Sequence, residues 1–285
     1  MKIIFDLGAN TGLNIPYYLM KAEKVIAVEA NGVLANAIER EFAPEVMSGR
    51  LVVVKRAVTT KTAAASGRAP FYTYQGEKET GHVWSSLERP TKRHSDFVEV
   101  DVQLTHPEEL FMTYGEPHFV KIDIEHHDVA VLRDILARRR PPAYLSVEAH
   151  DSRVLGLVLL EEEFKGFKIV RGRHVSEDFS DLLISTNDGP RRLSFSHHSA
   201  GPYGNDIPGP WLDRSTLVQH YGHLGPGWLD IHATTQHVGE ASPRLDESLP
   251  SGARELASLS ARAALRALSA AISASKRRVR ALWRS

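Results

Sequence analysis

The chain of 285 residues contains no cysteine. That excludes disulfides, thiolate zinc sites and cysteine nucleophiles. It also lacks net charge, because 35 Lys and Arg balance 35 Asp and Glu. A neutral molecule has no bulk electrostatic attraction to nucleic acid, so no nucleic-acid partner is expected. No apolar run reaches the roughly 18 residues that a membrane span needs. No secretory leader is expected, since a strand-like stretch starts directly after Met1. No internal repeat is visible. The length suits one large α/β domain with decoration.

Glycine is scarce at one telling place. Lys2 to Phe5 is a short β-branched and aromatic run, the pattern of a buried strand. It leads into Asp6, then Gly8, Asn10 and Gly12, and then a helical stretch from Leu13 to Lys21. Strand, glycine turn and helix together open the nucleotide site of a doubly wound sheet. A dinucleotide loop needs G-x-G-x-x-G. The corresponding positions here are Gly8, Asn10 and Leu13, so two of the three glycines are missing. What stands instead is D-x-G-x-N-x-G. This resembles motif I of class I S-adenosylmethionine methyltransferases, in which the acid and the loop hold the methionine end of the cofactor. A nicotinamide-dependent Rossmann oxidoreductase is the alternative. A non-catalytic module that kept the fold is a third reading.

Val25 to Glu29 reads as the second strand. Its terminal acid follows the loop at about the 20-residue spacing of a ribose-binding carboxylate. A carboxylate can accept two hydrogen bonds from a vicinal diol. The competing role for Glu29 is to complement the dipole of the next helix, expected over 33–41. Asn31 helps to turn the chain. Further strands are expected at 51–58, 71–74 and 97–104, a loop at 81–87, and a short helix at 106–114. Phe119 to Glu125 reads as a central strand carrying Lys121, Asp123 and Glu125 on one face, by alternation. Such charges are costly unless paired or used. A helix over 129–140 ends before Pro141-Pro142, and the fifth strand, 143–149, ends at Glu148 and His150. A helix at 153–164 and strands at 167–170 and 181–186 follow. Residues 194–211 concentrate glycine, proline, histidine and aromatics. They read as the core of a substrate cap spanning about 187–226. A helix at 213–223 and a last strand at 227–234 complete the core.

Taken in order, I-F-D-L-G-A-N-T-G, V-E-A-N, the S-S-L loop, V-K-I-D-I-E and S-V-E are similar to the FkbM family of methyltransferases over about residues 1–190. The resemblance implies a Rossmann-like, mostly parallel seven-stranded sheet in a domain over 1–240. It implies S-adenosyl-L-methionine as cofactor, and methylation of hydroxyl oxygens on sugars, glycans or polyketide natural products. It also implies a cofactor site from Asp6, Gly8, Asn10, Gly12, Glu29, Asn31, Ser86 and Asp123. One departure stands out: the family usually has glycine after the K-I-D-x-E glutamate, where this chain has His126-His127.

Methyl transfer from a sulfonium is an in-line displacement, and a weakly nucleophilic hydroxyl benefits from a base. His150 is the first candidate, with Asp123 beside it and His126 or His127 as second choices. A divalent ion, Mg or Mn, on Asp123, Glu148 and His150 is the alternative way to activate the hydroxyl. Residues 241–252 read as a polar linker, and 253–285 as an alanine- and arginine-rich helix. Its basic face suits peripheral membrane contact or self-association. The expected location is therefore cytoplasmic, with that peripheral contact.

Overall fold

The structure, a computed structural model, describes residues 1–75, 85–91, 94–224 and 227–238. The expected linker and basic helix beyond residue 240 lie outside these residues, as does the start of the 81–87 loop. The strands in chain order are β1 (Ile3–Leu7), β2 (Lys24–Val28), β3 (Leu51–Val54), β4 (Ala57–Val58), β5 (Arg68–Tyr74), β6 (Phe97–Thr105), β7 (Phe119–Ile122), β8 (Tyr144–Glu148), β9 (Gly166–Arg171), β10 (Leu182–Thr186), β11 (Gly189–Leu193) and β12 (Leu229–Thr234). The helices are α1 (Ile15–Lys21), α2 (Gly32–Glu41), α3 (Ala43–Met47), α4 (Lys61–Ala64), α5 (Pro107–Tyr114), α6 (Asp128–Leu136), α7 (Ser152–Leu160), α8 (Val175–Asp178) and α9 (Arg214–Leu224).

A seven-stranded sheet in the order β3-β2-β1-β7-β8-β12-β9 forms the centre. Its strands are parallel except β12, which runs antiparallel between β8 and β9. Every residue of β1 is buried. That follows from a parallel strand covered on both faces, which needs near-continuous apolar sequence. Alternation divides the core in two. Ile3, Phe5 and Leu7 join one layer with residues of α5, α6, α7 and α9. Ile4 faces the other layer, with α1, α2 and the segment around Tyr203. Tyr203 stacks on Phe119 with ring centroids 4.1 Å apart. The β4-β6-β5 sheet stands apart as a small second unit.

Three expectations are corrected in detail. Residues 51–58 are two strands in different sheets, because the chain bends at Lys55 and Arg56. β7 stops at Ile122, three residues short of Glu125, because Glu125 and His126 both adopt left-handed backbone (φ 49° and 71°). The helix expected over 129–140 is complete by Leu136. The strand expected over 181–186 is present as β10 and pairs with β11 in a hairpin.

A row of polar side chains crosses the Ile4 face. Register places Asp6 beside Lys121, Lys121 beside Ser146, Ser146 beside His232, and His232 beside Lys168. His232 is buried; its Nε2 lies 3.4 Å from Ser146 Oγ, and its Nδ1 has no partner among the described residues. Burial, helped by the nearby Lys168 charge, pushes its pKa down to about 3. Lys168 in turn donates to the carbonyl of Ile207 and lies 4.8 Å from the Trp211 ring.

The folded chain therefore keeps His232 neutral, while the unfolded chain takes up its proton near pH 6.5. The stability gained is present above that value and is lost as pH falls toward 3. Relative to His232→Gln, the wild-type chain should lose about 2–3 kcal/mol between about pH 7.5 and pH 4.5. Urea denaturation at the two pH values measures this; parallel losses in the two proteins would contradict it.

Candidate functional site

The glycine loop is built by close backbone approach. Gly8 has φ +87°, and a Cβ on it would lie 1.8 Å from the carbonyl oxygen of Asp123. Only glycine fits, because the ends of β1 and β7 meet there. The amides of Gly8 and Ala9 both donate to the Val28 carbonyl at 3.0 Å. Asn10 takes left-handed backbone, φ 52°, which asparagine tolerates better than most residues. Its amide donates to Glu29 Oε2 at 2.8 Å, and the Asn31 amide donates to Glu29 Oε1 at 2.7 Å. Asn31 Oδ1 caps α2 by accepting from the Val33 amide. Glu29 is therefore not the side chain that caps this helix. It is 7% exposed, and burial pushes its pKa up to about 7.

The second half of the site comes from the ends of β7 and β8. Lys121 Nζ lies 3.0 Å from Asp123 Oδ2 and 3.6 Å from Asp6 Oδ1. Burial opposes the Lys121 charge, yet those two carboxylates hold the ammonium above the usual lysine range. Asp6 is fully buried, which pushes it up to about 6 despite Lys121. The turn after Asp123 is fixed at both sides. Asp128 accepts from the Ile124 amide at 3.0 Å, and Ser86 Oγ donates to the Glu125 carbonyl at 2.9 Å. The Glu125 carboxyl is pushed up to about 9 by burial and by Asp123 and Glu148.

Glu148 closes β8 at 6% exposure. Its Oε1 is 2.7 Å from His150 Nε2, and its Oε2 has no partner among the described residues. Burial and Asp123 raise Glu148 to about 7, while its hydrogen bond raises His150 to about 9. The pair thus holds a proton at neutral pH, unlike a free imidazole. Opposite Glu148 on β12 sits Asp230, 5% exposed and pushed well up by burial.

These groups surround one cleft of about 480 Å³ at the carboxyl ends of the strands. Gly8, Asn10, Glu29, Asp123, Glu148 and His150 all line it. Asp6, Gly12, Asn31 and Ser86 stand behind that lining and shape it. His126 is exposed, His127 is half-buried at the start of α6, and neither lines the cleft. Asp123, Glu125 and Glu148 bring ligand oxygens within 4.8 Å of one another, whereas His150 is engaged by Glu148. The cleft also takes in Arg173, His198, Trp228 and Asp230, which sequence reasoning passed over. The available signal for Asp230 was an acid inside the otherwise apolar W-L-D-I-H run. Of residues 194–211, His198, Ser199 and Ala200 reach the cleft, while Phe195, Tyr203 and Ile207 pack in the core.

An acid-lined cleft with a glycine loop at β1, an acid at the end of β2, and an antiparallel strand between β8 and β9 define a class I S-adenosylmethionine-dependent methyltransferase. The chain belongs to the FkbM family of these enzymes, since the family model "Methyltransferase FkbM domain" matches residues 6–169. That closes the nicotinamide reading. Similar solved structures include an FkbM methyltransferase from Methylobacillus flagellatus KT, at 12% identity, covering 59% of this chain and 39% of that one, TM-score 0.38. Others are a SAM-dependent O-methyltransferase from Thermotoga maritima (11% identity, 84% and 61% covered, TM-score 0.35) and precorrin 8W decarboxylase from Methanobacterium thermoautotrophicum (10%, 82% and 81%, TM-score 0.35). The chain spans less than two thirds of the first two. No curated protein matches this chain in sequence. No helix among the described residues is long and apolar enough to cross a membrane.

The residues present fit the cofactor. The buried Asn10 Oδ1 has no partner among the described residues and offers an acceptor in the loop. The acid-rich floor favours a sulfonium cation. The loop itself gives a structural test. Gly8→Ala should destabilise the protein by more than the ~1–2 kcal/mol of left-handed backbone, because Asp123 must also move. Denaturant unfolding reads this, and a variant within about 0.5 kcal/mol of wild type would mean that the two strand ends are not locked together.

Proposed function

We propose that this methyltransferase acts on a hydroxyl oxygen of a sugar, a glycan or a related natural product. The single observation that carries the reading is the His150 imidazole, held by buried Glu148 in the wall of the cleft. When bound, S-adenosylmethionine supplies an electrophilic methyl group on a positively charged sulfur. In this reading the Gly8–Gly12 loop and Asp123 receive the methionine end, and Glu29 receives the ribose hydroxyls. Glu29 is pre-oriented for that by the two amides it already holds. Arg56, Ala57 and Val58 line the wall nearest β4, on the adenine side. His150 takes the proton of the acceptor hydroxyl at Nδ1, while Glu148 holds the ring through Nε2. A positive charge bound beside the pair lowers its proton affinity, so occupancy of the cleft frees the imidazole to act. Arg173 at the rim supports a polar acceptor, beside the Trp228 indole on which His198 stacks with ring centroids 5.6 Å apart.

Two measurements test the assignment. Glu29→Ala should weaken S-adenosylmethionine binding by roughly 1.5–3 kcal/mol, the worth of hydrogen bonds to a charged group. Calorimetry showing unchanged affinity in the folded variant removes the ribose role. His150→Ala should keep cofactor affinity nearly intact and lower turnover about 10²–10⁴-fold. Turnover on a panel of sugar and polyol acceptors, followed by S-adenosylhomocysteine release, is the readout. Full activity in that variant would move the base elsewhere.

A further inference from the structure

The acidic floor of the cleft gathers more carboxyl groups than basic ones. Asp6, Asp123, Glu125, Glu148 and Asp230 crowd around one buried ammonium, Lys121, and one imidazole, His150.

Geometry says where a cation would sit. One oxygen each from Asp123, Glu125 and Glu148 fall within 4.8 Å of one another. Lys121 engages Asp123 through Oδ2. His150 occupies Glu148 Oε1 and leaves Oε2 buried and without a partner among the described residues. Asp230 is a separate pointer. It stands across from Glu148 in the sheet, 5% exposed, lining the same cleft, and makes no hydrogen bond or ion pair among the described residues. An oxygen-only donor set with room for water or a substrate hydroxyl suits a hard divalent ion such as Mg²⁺ or Mn²⁺.

We propose that Asp123, Glu125 and Glu148 form a divalent-cation site, with Asp230 adding negative charge behind it and the acceptor hydroxyl completing the coordination. Glu148 then serves two partners, the cation through Oε2 and His150 through Oε1, as outer partners of metal ligands commonly do. The role in catalysis rests on the hydroxyl-acceptor reading above; the cation site itself does not. A bound cation lowers the pKa of a coordinated hydroxyl, which makes the proton transfer to His150 easier.

The test is Mn²⁺ binding by the full chain, followed by electron paramagnetic resonance of the free ion and by calorimetry. The expected result is one saturable site, displaced by Mg²⁺, and weakened about tenfold or more in Glu125→Gln and in Glu148→Gln. S-adenosylhomocysteine affinity should stay within about twofold in Glu125→Gln, which shows that the cleft is folded. No saturable Mn²⁺ binding by the wild-type chain overturns the proposal, as does equal binding by both variants. Mn²⁺ binding as expected, with no methylation of any hydroxyl acceptor, leaves the cation site standing and removes the acceptor reading instead.

Discussion

Lys121 carries an ammonium into the middle of a parallel sheet and keeps it charged there. Its ability to do so comes from Asp6 on one side and Asp123 on the other. Removing one partner from such a buried group costs about 3–5 kcal/mol, because the remaining charge is stranded. Each member therefore constrains the others. Asp6 has no hydrogen bond of its own among the described residues and depends on the ammonium for compensation. Asp123 is thereby fixed by its side chain at one end and by its carbonyl, packed against Gly8, at the other. The acid at the start of the motif thus acts from behind the cleft, by holding the floor in position.

The same face of the sheet shows how far this arrangement extends. A polar row runs from Asp6 to Lys168, crossing β1, β7, β8, β12 and β9 at one level. The opposite face, with Ile3, Phe5, Leu7, Val120 and Ile122, is a plain apolar core. Both layers bury apolar side chains, but the Ile4 layer also holds charges whose protonation states are set by burial and by one another.

The glycine loop was legible because its residues do something that few others can. Gly8 must approach a carbonyl, and Asn10 must turn left-handed, so their identities report backbone geometry directly. Glu29 and Glu148 were legible as acids ending apolar strands, where alternation alone offers no reason for them. Glu125 was harder to place. In sequence it continues the strand alternation of Lys121 and Asp123, and only the left-handed turn at Glu125-His126 shows that the pleat has already ended. Lys55-Arg56 concealed a break for the reverse reason, since long polar side chains occur equally in edge strands and in bends. Asp230, Arg173 and Trp228 reach the cleft from chain segments far from the loop. No local period encodes that meeting, which depends on how β9 and β12 are ordered.

That order has a consequence for how the molecule is made. Among the described residues β12 is the last strand to be synthesised, yet it lies inside the sheet and separates β8 from β9. Until residues 229–234 leave the ribosome, β8 and β9 have no strand between them, and each presents an unpaired edge. Long-range pairing of this kind comes late and slowly, since the loop entropy must be overcome before the contacts repay it. The nascent chain thus spends the translation of about sixty residues with a gap in its sheet. Asp230 arrives with the strand that closes it. The acidic floor, with its internal repulsion, is therefore completed only at the step that also seals the sheet, when the structure around it can bear the strain.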